Sequence, residues 1–153
     1  MSKFTVKNLN KFLLFKLPSA YFSGVRAQSI SDDEAIVTVR HKWINQNPFK
    51  SLYWATQGMA SELATGLLVM KQIAESGKNI SMLVTKQQGN FTKKATGRIN
   101  FTCKDGKLIK ETIDKAIATG EGQIIIMSAE GIDEHGESVS KFEYEWSIKM
   151  KNG

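Results

Sequence analysis

Residues 51–76, SLYWATQGMASELATGLLVMKQIAES, form the longest helical pattern in the chain. Leu52, Ala55, Met59, Leu63, Leu67 and Met70 recur at the 3.6-residue period and make one stripe. Trp54, Ala60, Ala64, Leu68 and Val69 fall outside it and leave few polar positions before Lys71. A helix with so little wet surface must be covered by other elements. Ser51 stands where an N-cap is wanted, and Gly77 where a left-handed terminator is wanted. The pattern predicts a buried helix over 51–76.

The flanking segments supply the cover. Upstream, Leu9, Phe12, Leu13 and Lys16 predict a short amphipathic helix over 7–16, stopped by Pro18. Residues 25–30 form a weak strand candidate. After the turn SDDE, AIVTVRHKW (35–43) predicts a strand with Val37, Val39 and His41 on one face. Downstream, 81–88 and 97–103 read as strands, and in the second Ile99, Phe101 and Cys103 alternate with polar residues. Residues 107–119 predict a second amphipathic helix, with Ile109, Ile113, Ala116 and Ile117 inward and Gly120 at its end. Residues 123–132 and 138–150 flank the turn DEHGE. Phe142, Tyr144, Trp146, Ile148 and Met150 alternate with polar residues in the last segment, so one sheet face is dry. One long apolar helix followed by antiparallel strands predicts an α+β domain, spanning 1–153, whose sheet curls around the helix.

Composition narrows the class. The 153 residues are about one domain's worth, and 41% hydrophobic with 24% charged residues is ordinary for a globular protein. The excess of 21 Lys+Arg over 15 Asp+Glu would suit an anionic ligand, but charge alone does not choose among them. No helix-turn-helix or RNP-like pattern accompanies it, so no nucleic-acid partner is expected. The FLLF run near the N-terminus is too short for a secretory signal, and no stretch is long enough to span a membrane. A cytoplasmic protein without a membrane partner is expected. Cys103, the single cysteine, reads as core filler, and His135 as a solvated turn residue. The spacing of the two histidines and Cys103 forms no metal site, and no G-x-S-x-G motif supports a serine triad.

Two stretches, NPFKSLYWATQGMASELATG (47–66) and GNFTKKATGRINFTCKDG (89–106), carry a resemblance that extends over most of the chain. They resemble the hot-dog thioesterase superfamily, and most closely a branch of unknown function with a predicted acyl-CoA-thioesterase-like domain. In hot-dog thioesterases of the phenylacetic-acid-pathway type, the loop into the long helix carries Asn, then His-Gly-Gly, then an acidic residue about two turns on. Asn47 falls on the Asn and Glu62 on the catalytic acid. Tyr53-Trp54-Ala55 stands in place of His-Gly-Gly, so an indole replaces bare backbone.

The resemblance implies hydrolysis of a small-molecule acyl thioester by a homodimer or a dimer of dimers. Coenzyme A enters as part of the substrate, with no resident cofactor or metal. Glu62 would act as base or nucleophile with Asn47 beside it, and the amides of Tyr53 and Trp54 would face the oxyanion. Helical spacing puts Ser51, Ala55, Gly58 and Glu62 on one face, and a pocket of His41, Ser51, Gly58, Met59 and Phe91 is expected around the acid. Lys93, Lys94 and Arg98 would meet the coenzyme A phosphates. Desolvation beside Met59 and Leu63 should raise the Glu62 pKa. Three alternatives stand beside these roles. Glu62 could be paired with a basic side chain at a dimer seam. Asn47, ahead of Pro48, could be a turn or cap residue. The same fold could bind an acyl thioester, a fatty acid or an aromatic metabolite without hydrolysing it, in a slot lined by Trp54, Met59 and Phe91.

Overall fold

The structure, a computed structural model, describes residues 3–152. Helix α1 spans Val6–Lys16, with the Thr5 hydroxyl accepting from the Asn8 N–H as its cap. Pro18 ends α1 as expected and also starts a second, unpredicted helix, α2 (Pro18–Phe22). Proline is well placed there, because the first turn of a helix has no use for its missing N–H.

Strands β1 (Arg26–Ile30) and β2 (Ala35–Arg40) follow as an antiparallel pair. The expected strand over 35–43 ends three residues early. Asn45 causes this: its side-chain amide donates to the Ser23 and Arg40 carbonyls at 2.8 and 2.9 Å while its oxygen accepts from the Lys42 N–H at 2.8 Å. The chain turns into a 3-10 segment, Trp43–Asn45, and His41 sits just past the strand rather than on its face.

The long helix α3 runs Trp54–Ser76 and ends on Gly77 at φ 66°. Its beginning corrects the expectation of a start at Ser51. The Asn47 carboxamide oxygen accepts from the N–H groups of Phe49 and Ser51 at 2.9 and 3.2 Å, and its nitrogen donates to the Ser51 hydroxyl at 2.9 Å. Ser51 is buried in that loop, so the helix begins at Trp54 with Tyr53 as an N-cap that offers no side-chain bond. Ser51 therefore does not share a helix face with Ala55, Gly58 and Glu62.

Strands β3 (Ile80–Phe91) and β4 (Arg98–Cys103), helix α4 (Gly106–Thr119) and strands β5 (Gln123–Ile132) and β6 (Ser138–Met150) complete the chain. All six strands form one antiparallel sheet in the order β1-β2-β4-β5-β6-β3. The pleat sends alternate side chains to one face, and Val37, Val39, Ile99, Phe101, Met127, Phe142 and Trp146 are buried there against Leu63, Leu67 and Leu68 of α3. Burying each such side chain contributes roughly 1.5–3 kcal/mol, enough to hold the long helix inside the sheet. Gly131 lets the sheet close on its own core, since a Cβ there would lie 2.6 Å from the Phe101 ring. Helix α4 buries Ile109, Ile113 and Ala116. This is the hot-dog fold: a sheet wrapped around one central helix.

Candidate active site

Helix α3 carries two kinds of polar residue, and the sheet meets only one of them. Gln57, Ser61 and Thr65 are four residues apart and so stack on one side of the helix. They meet alternating residues of β6: Ser140 donates to the Gln57 carboxamide oxygen at 2.7 Å, the Ser61 and Tyr144 hydroxyls lie 2.7 Å apart, and the Trp146 indole N–H donates to Thr65 at 3.0 Å. The Tyr144 hydroxyl also reaches the Gly58 carbonyl at 3.0 Å. These buried groups satisfy one another, as buried polar groups must.

Glu62 is next to Ser61 but turned about 100° around the helix, off this ladder. Its half-buried side chain has no hydrogen bond or ion pair among the described residues. It lines a cavity of about 290 Å³ bounded by Met59 and Leu63 of α3 and by Lys16, Leu17, Pro18, Ser19 and Ala20 at the α1–α2 junction. A Cβ on Gly66 would lie 3.6 Å from the Glu62 Oε1 and 3.5 Å from the Trp146 ring, so the carboxylate and the indole both border this glycine. Burial raises its pKa. The cause is the desolvation expected from Met59 and Leu63, and Lys16, which lines the same cavity, makes no ion pair with the carboxylate. Burial, with the Glu62 charge adding to it, pushes the Tyr144 hydroxyl up to about 12.

The start of α3 supplies donors. The Tyr53 N–H is engaged by the Asn45 carbonyl at 2.9 Å, whereas the Trp54 and Ala55 N–H groups have no partner among the described residues. The Trp54 indole is 53% exposed and meets the Tyr53 ring edge-on at 5.9 Å.

The other expected site residues lie elsewhere. The Asn47 side chain is engaged within its own loop, in the turn role, and does not line the Glu62 cavity. His41 donates its backbone N–H to the Gly97 carbonyl, and its Nε2 is buried without a partner. Phe91 packs edge-on against Phe142 at 5.4 Å. Gly58 and Met59 flank Glu62 on α3 as its spacing requires. Lys93 is held by Asp133, at 2.9 Å, and by Glu137. Lys94 reaches only the Phe49 carbonyl at 3.5 Å, and the Arg98 side chain contacts Thr38 at 3.3 Å. Among the described residues no group of three or more His, Cys, Asp or Glu side chains is placed to hold a metal, and no helix is long and apolar enough to cross a membrane. Cys103 is fully buried, with its thiol pushed up to about 12 by that burial.

Two features escaped the sequence reading. The ladder of Gln57, Ser61 and Thr65 was signalled by its four-residue spacing. Lys71, whose side chain is 9% exposed and bonded to both Asp32 and Glu75, was signalled only by a charge inside an apolar run.

The profile of a family described as a domain of unknown function, DUF4442, matches residues 7–148. The chain belongs to that family. Among solved structures, a Pseudomonas aeruginosa protein of unknown function, PA5026, described as a probable thioesterase, aligns with a TM-score of 0.80 at 19% identity, covering 95% of this chain and 96% of that one. A Chlorobaculum tepidum protein of unknown function aligns with a TM-score of 0.80 at 21% identity, over 96% and 94%. The thioesterase HI1161 of Haemophilus influenzae aligns with a TM-score of 0.70 at 12% identity, over 97% and 93%. No curated protein matches the chain. At these identities the structural likeness establishes the fold alone.

Proposed function

We propose that the protein is an acyl-CoA thioesterase-like hydrolase of the cytoplasm, with the Glu62 carboxylate as general base or nucleophile. One observation carries the reading: Glu62 is the acid on the central helix whose carboxylate makes no ion pair or hydrogen bond among the described residues, and it opens on a cavity. A desolvated carboxylate of raised pKa is a better proton acceptor near neutral pH than an exposed one. As a base, it takes a proton from water as the oxygen adds to the thioester carbonyl. The C–S bond then breaks, and the departing thiolate recovers the proton to leave a carboxylic acid and a free thiol. The open Trp54 N–H at the start of α3, where the helix dipole is positive, is the candidate oxyanion donor, and since eight helical residues, about 12 Å, separate it from Glu62 of the same chain, it would serve the acid of the other protomer in the dimer. The thioesterase descriptions of PA5026 and HI1161 support the substrate class. Coenzyme A belongs to the substrate in this reading, with the exposed Lys94 and Arg98 as its phosphate contacts. The functional unit is a homodimer or a dimer of dimers.

A second reading has a specific observation in its favour. Trp54 places an indole where the resembling thioesterases have bare glycine backbone, and the Tyr53 amide and the Asn47 side chain are already engaged. A non-catalytic module holding an acyl thioester, a fatty acid or an aromatic metabolite tolerates all three facts. A panel of acyl-CoA esters of increasing length separates the two readings. The hydrolase releases thiol from at least one of them, whereas the binding module shows a saturable rise in melting temperature and no thiol.

A further inference from the structure

Charge is unevenly distributed along the chain. Residues 1–61 hold eight Lys/Arg and three Asp/Glu, whereas residues 62–153 hold thirteen and twelve. The three early acids are consecutive, Asp32 to Glu34, so no carboxylate side chain occurs in 1–31 or in 35–61.

The fold brings the end of α1, α2, the 3-10 segment and the loop into α3 together near the start of α3. At the C-terminal end of α1, Phe15 and Lys16 are exposed, and Lys16 adjoins the Leu17–Ala20 wall of the Glu62 cavity. The Asn45 amide donates to the Ser23 carbonyl at 2.8 Å, which sets the end of α2 against the 3-10 segment. The Tyr53 N–H donates to the Asn45 carbonyl, which sets that segment against the start of α3. Lys94 is drawn in by the Phe49 carbonyl at 3.5 Å.

Two kinds of side chain are open on the rim these elements form. Phe15, Phe22, Trp43 and Phe49 are 76%, 63%, 84% and 71% exposed, with the aliphatic Leu17 and Ile44 beside them. Lys16, Lys42, Lys50 and Lys94 make no ion pair among the described residues, whereas Lys71, Lys93 and Lys110 elsewhere do. Open aromatic rings on this scale are unusual for a surface that meets only water.

The choice of occupant follows from the mixture. A second copy seated on this rim in two-fold symmetry would set Lys16, Lys42, Lys50 and Lys94 against the same lysines, with the half-buried Glu62 and the Arg40-paired Glu134 as the nearby acids, an excess of like charge that disfavours it. Single-stranded nucleic acid would use the rings and the cations but has no use for Leu17 and Ile44. A lipid surface uses all three: aromatic rings settle at headgroup depth, aliphatic tips enter the acyl boundary, and lysines meet anionic phosphates.

We propose that this rim docks peripherally on an anionic phospholipid bilayer, without any spanning segment. Lys16 and Leu17 belong both to the rim and to the wall of the Glu62 cavity, so docking turns the mouth of that cavity toward the lipid. The proposal shares Lys94 with the coenzyme A contacts proposed above but holds whether or not Glu62 hydrolyses anything.

The test is co-sedimentation of the full chain with sucrose-loaded vesicles, either phosphatidylcholine alone or phosphatidylcholine with one third phosphatidylglycerol. Partition onto the anionic vesicles is expected to be at least about tenfold tighter and to collapse as ionic strength rises from roughly 0.1 to 0.5 M. The double variant Lys42→Glu, Lys50→Glu should lose that preference. Trp43→Ser with Phe49→Ser should weaken anionic binding about tenfold with an unchanged melting temperature, because both side chains are already open to water. Equal or absent partition onto the two vesicle types overturns the proposal. So does a Trp43→Ser, Phe49→Ser variant that binds vesicles normally but sediments at a different oligomeric state, which would give the rim to a second copy. Preference for a single-stranded oligonucleotide over the anionic vesicles also overturns it.

Discussion

The Ser61 and Tyr144 hydroxyls lie 2.7 Å apart inside the protein, and Tyr144 reaches on to the Gly58 carbonyl at 3.0 Å. That pair fixes the rotation of α3 against β6 and, with it, the direction in which Glu62 points. Tyr144→Phe removes one hydroxyl from the ladder and leaves Ser61 with the Gly58 carbonyl, 3.1 Å away. The loss should cost about 1–2 kcal/mol in urea unfolding. A variant as stable as the parent would show that the ladder does not set the helix.

The ionisation of Glu62 has a signed consequence for stability. Its folded pKa is raised by burial above the unfolded value of roughly 4.3. Between those two values the folded state holds a proton that the unfolded state has lost, so stability falls as pH rises through the window and stays lower above it. Glu62→Gln carries no charge to desolvate. It should therefore melt at a higher temperature than the parent above the window and at nearly the same temperature at pH 4. An equal or opposite shift at pH 8 would mean that the carboxylate is compensated in the folded protein.

Asp133 works in the other direction. The Lys93 bond first, and then the Glu137 and His135 N–H groups, hold its carboxyl down to about 2. Its contribution is fully present above the unfolded value near 3.9 and is lost as pH falls through the folded value. Asp133→Asn should lower the melting temperature at pH 7, and its deficit should shrink steadily as pH falls from 4 toward 2. A deficit independent of pH would rule out the charge as its cause.

The start of α4 makes a prediction about packing. The Gly106 N–H donates to the Asp33 carbonyl at 3.0 Å, and a Cβ at this position would lie 1.9 Å from the Asp32 carbonyl oxygen. Backbone oxygen cannot swing aside as a side-chain tip can. Gly106→Ala should cost at least about 2 kcal/mol in chemical unfolding as α4 is pushed off the β1–β2 turn. Parent-like stability would mean that the turn moves freely.

Much of the fold was legible because its signals were local and repeated. Leu63 and Leu67 repeat with the helical period, Phe142 to Ile148 with the strand period, and Gly77 and Gly120 adopt left-handed backbone at the helix ends they were expected to close. The start of α3 was not legible, because capping is a competition. Ser51 is a good cap by type, but Asn47 four residues earlier takes its hydroxyl and its N–H into a loop. The strand through His41 failed for a similar reason, since the three bonds of Asn45 pull the chain out of the sheet. The acid of the candidate site was readable as a charge in an apolar run, yet Lys71 is also a charge in that run and proves to be paired. Sequence spacing places a side chain on a helix but does not reveal what the rest of the chain brings to it. Asp32, which pairs Lys71, lies 39 residues away. The phosphate cluster shows the same limit: Lys93, Lys94 and Arg98 are close in sequence, but Asp133 and Glu137, which hold Lys93, come from the β5–β6 turn.

The most direct measurement is the rate of thiol release from the best acyl-CoA ester, compared between the parent protein and Glu62→Gln at neutral pH. The account predicts a loss of at least about a hundredfold in kcat/KM, with the variant folded and as stable as the parent or more so. An unchanged rate in Glu62→Gln would contradict it.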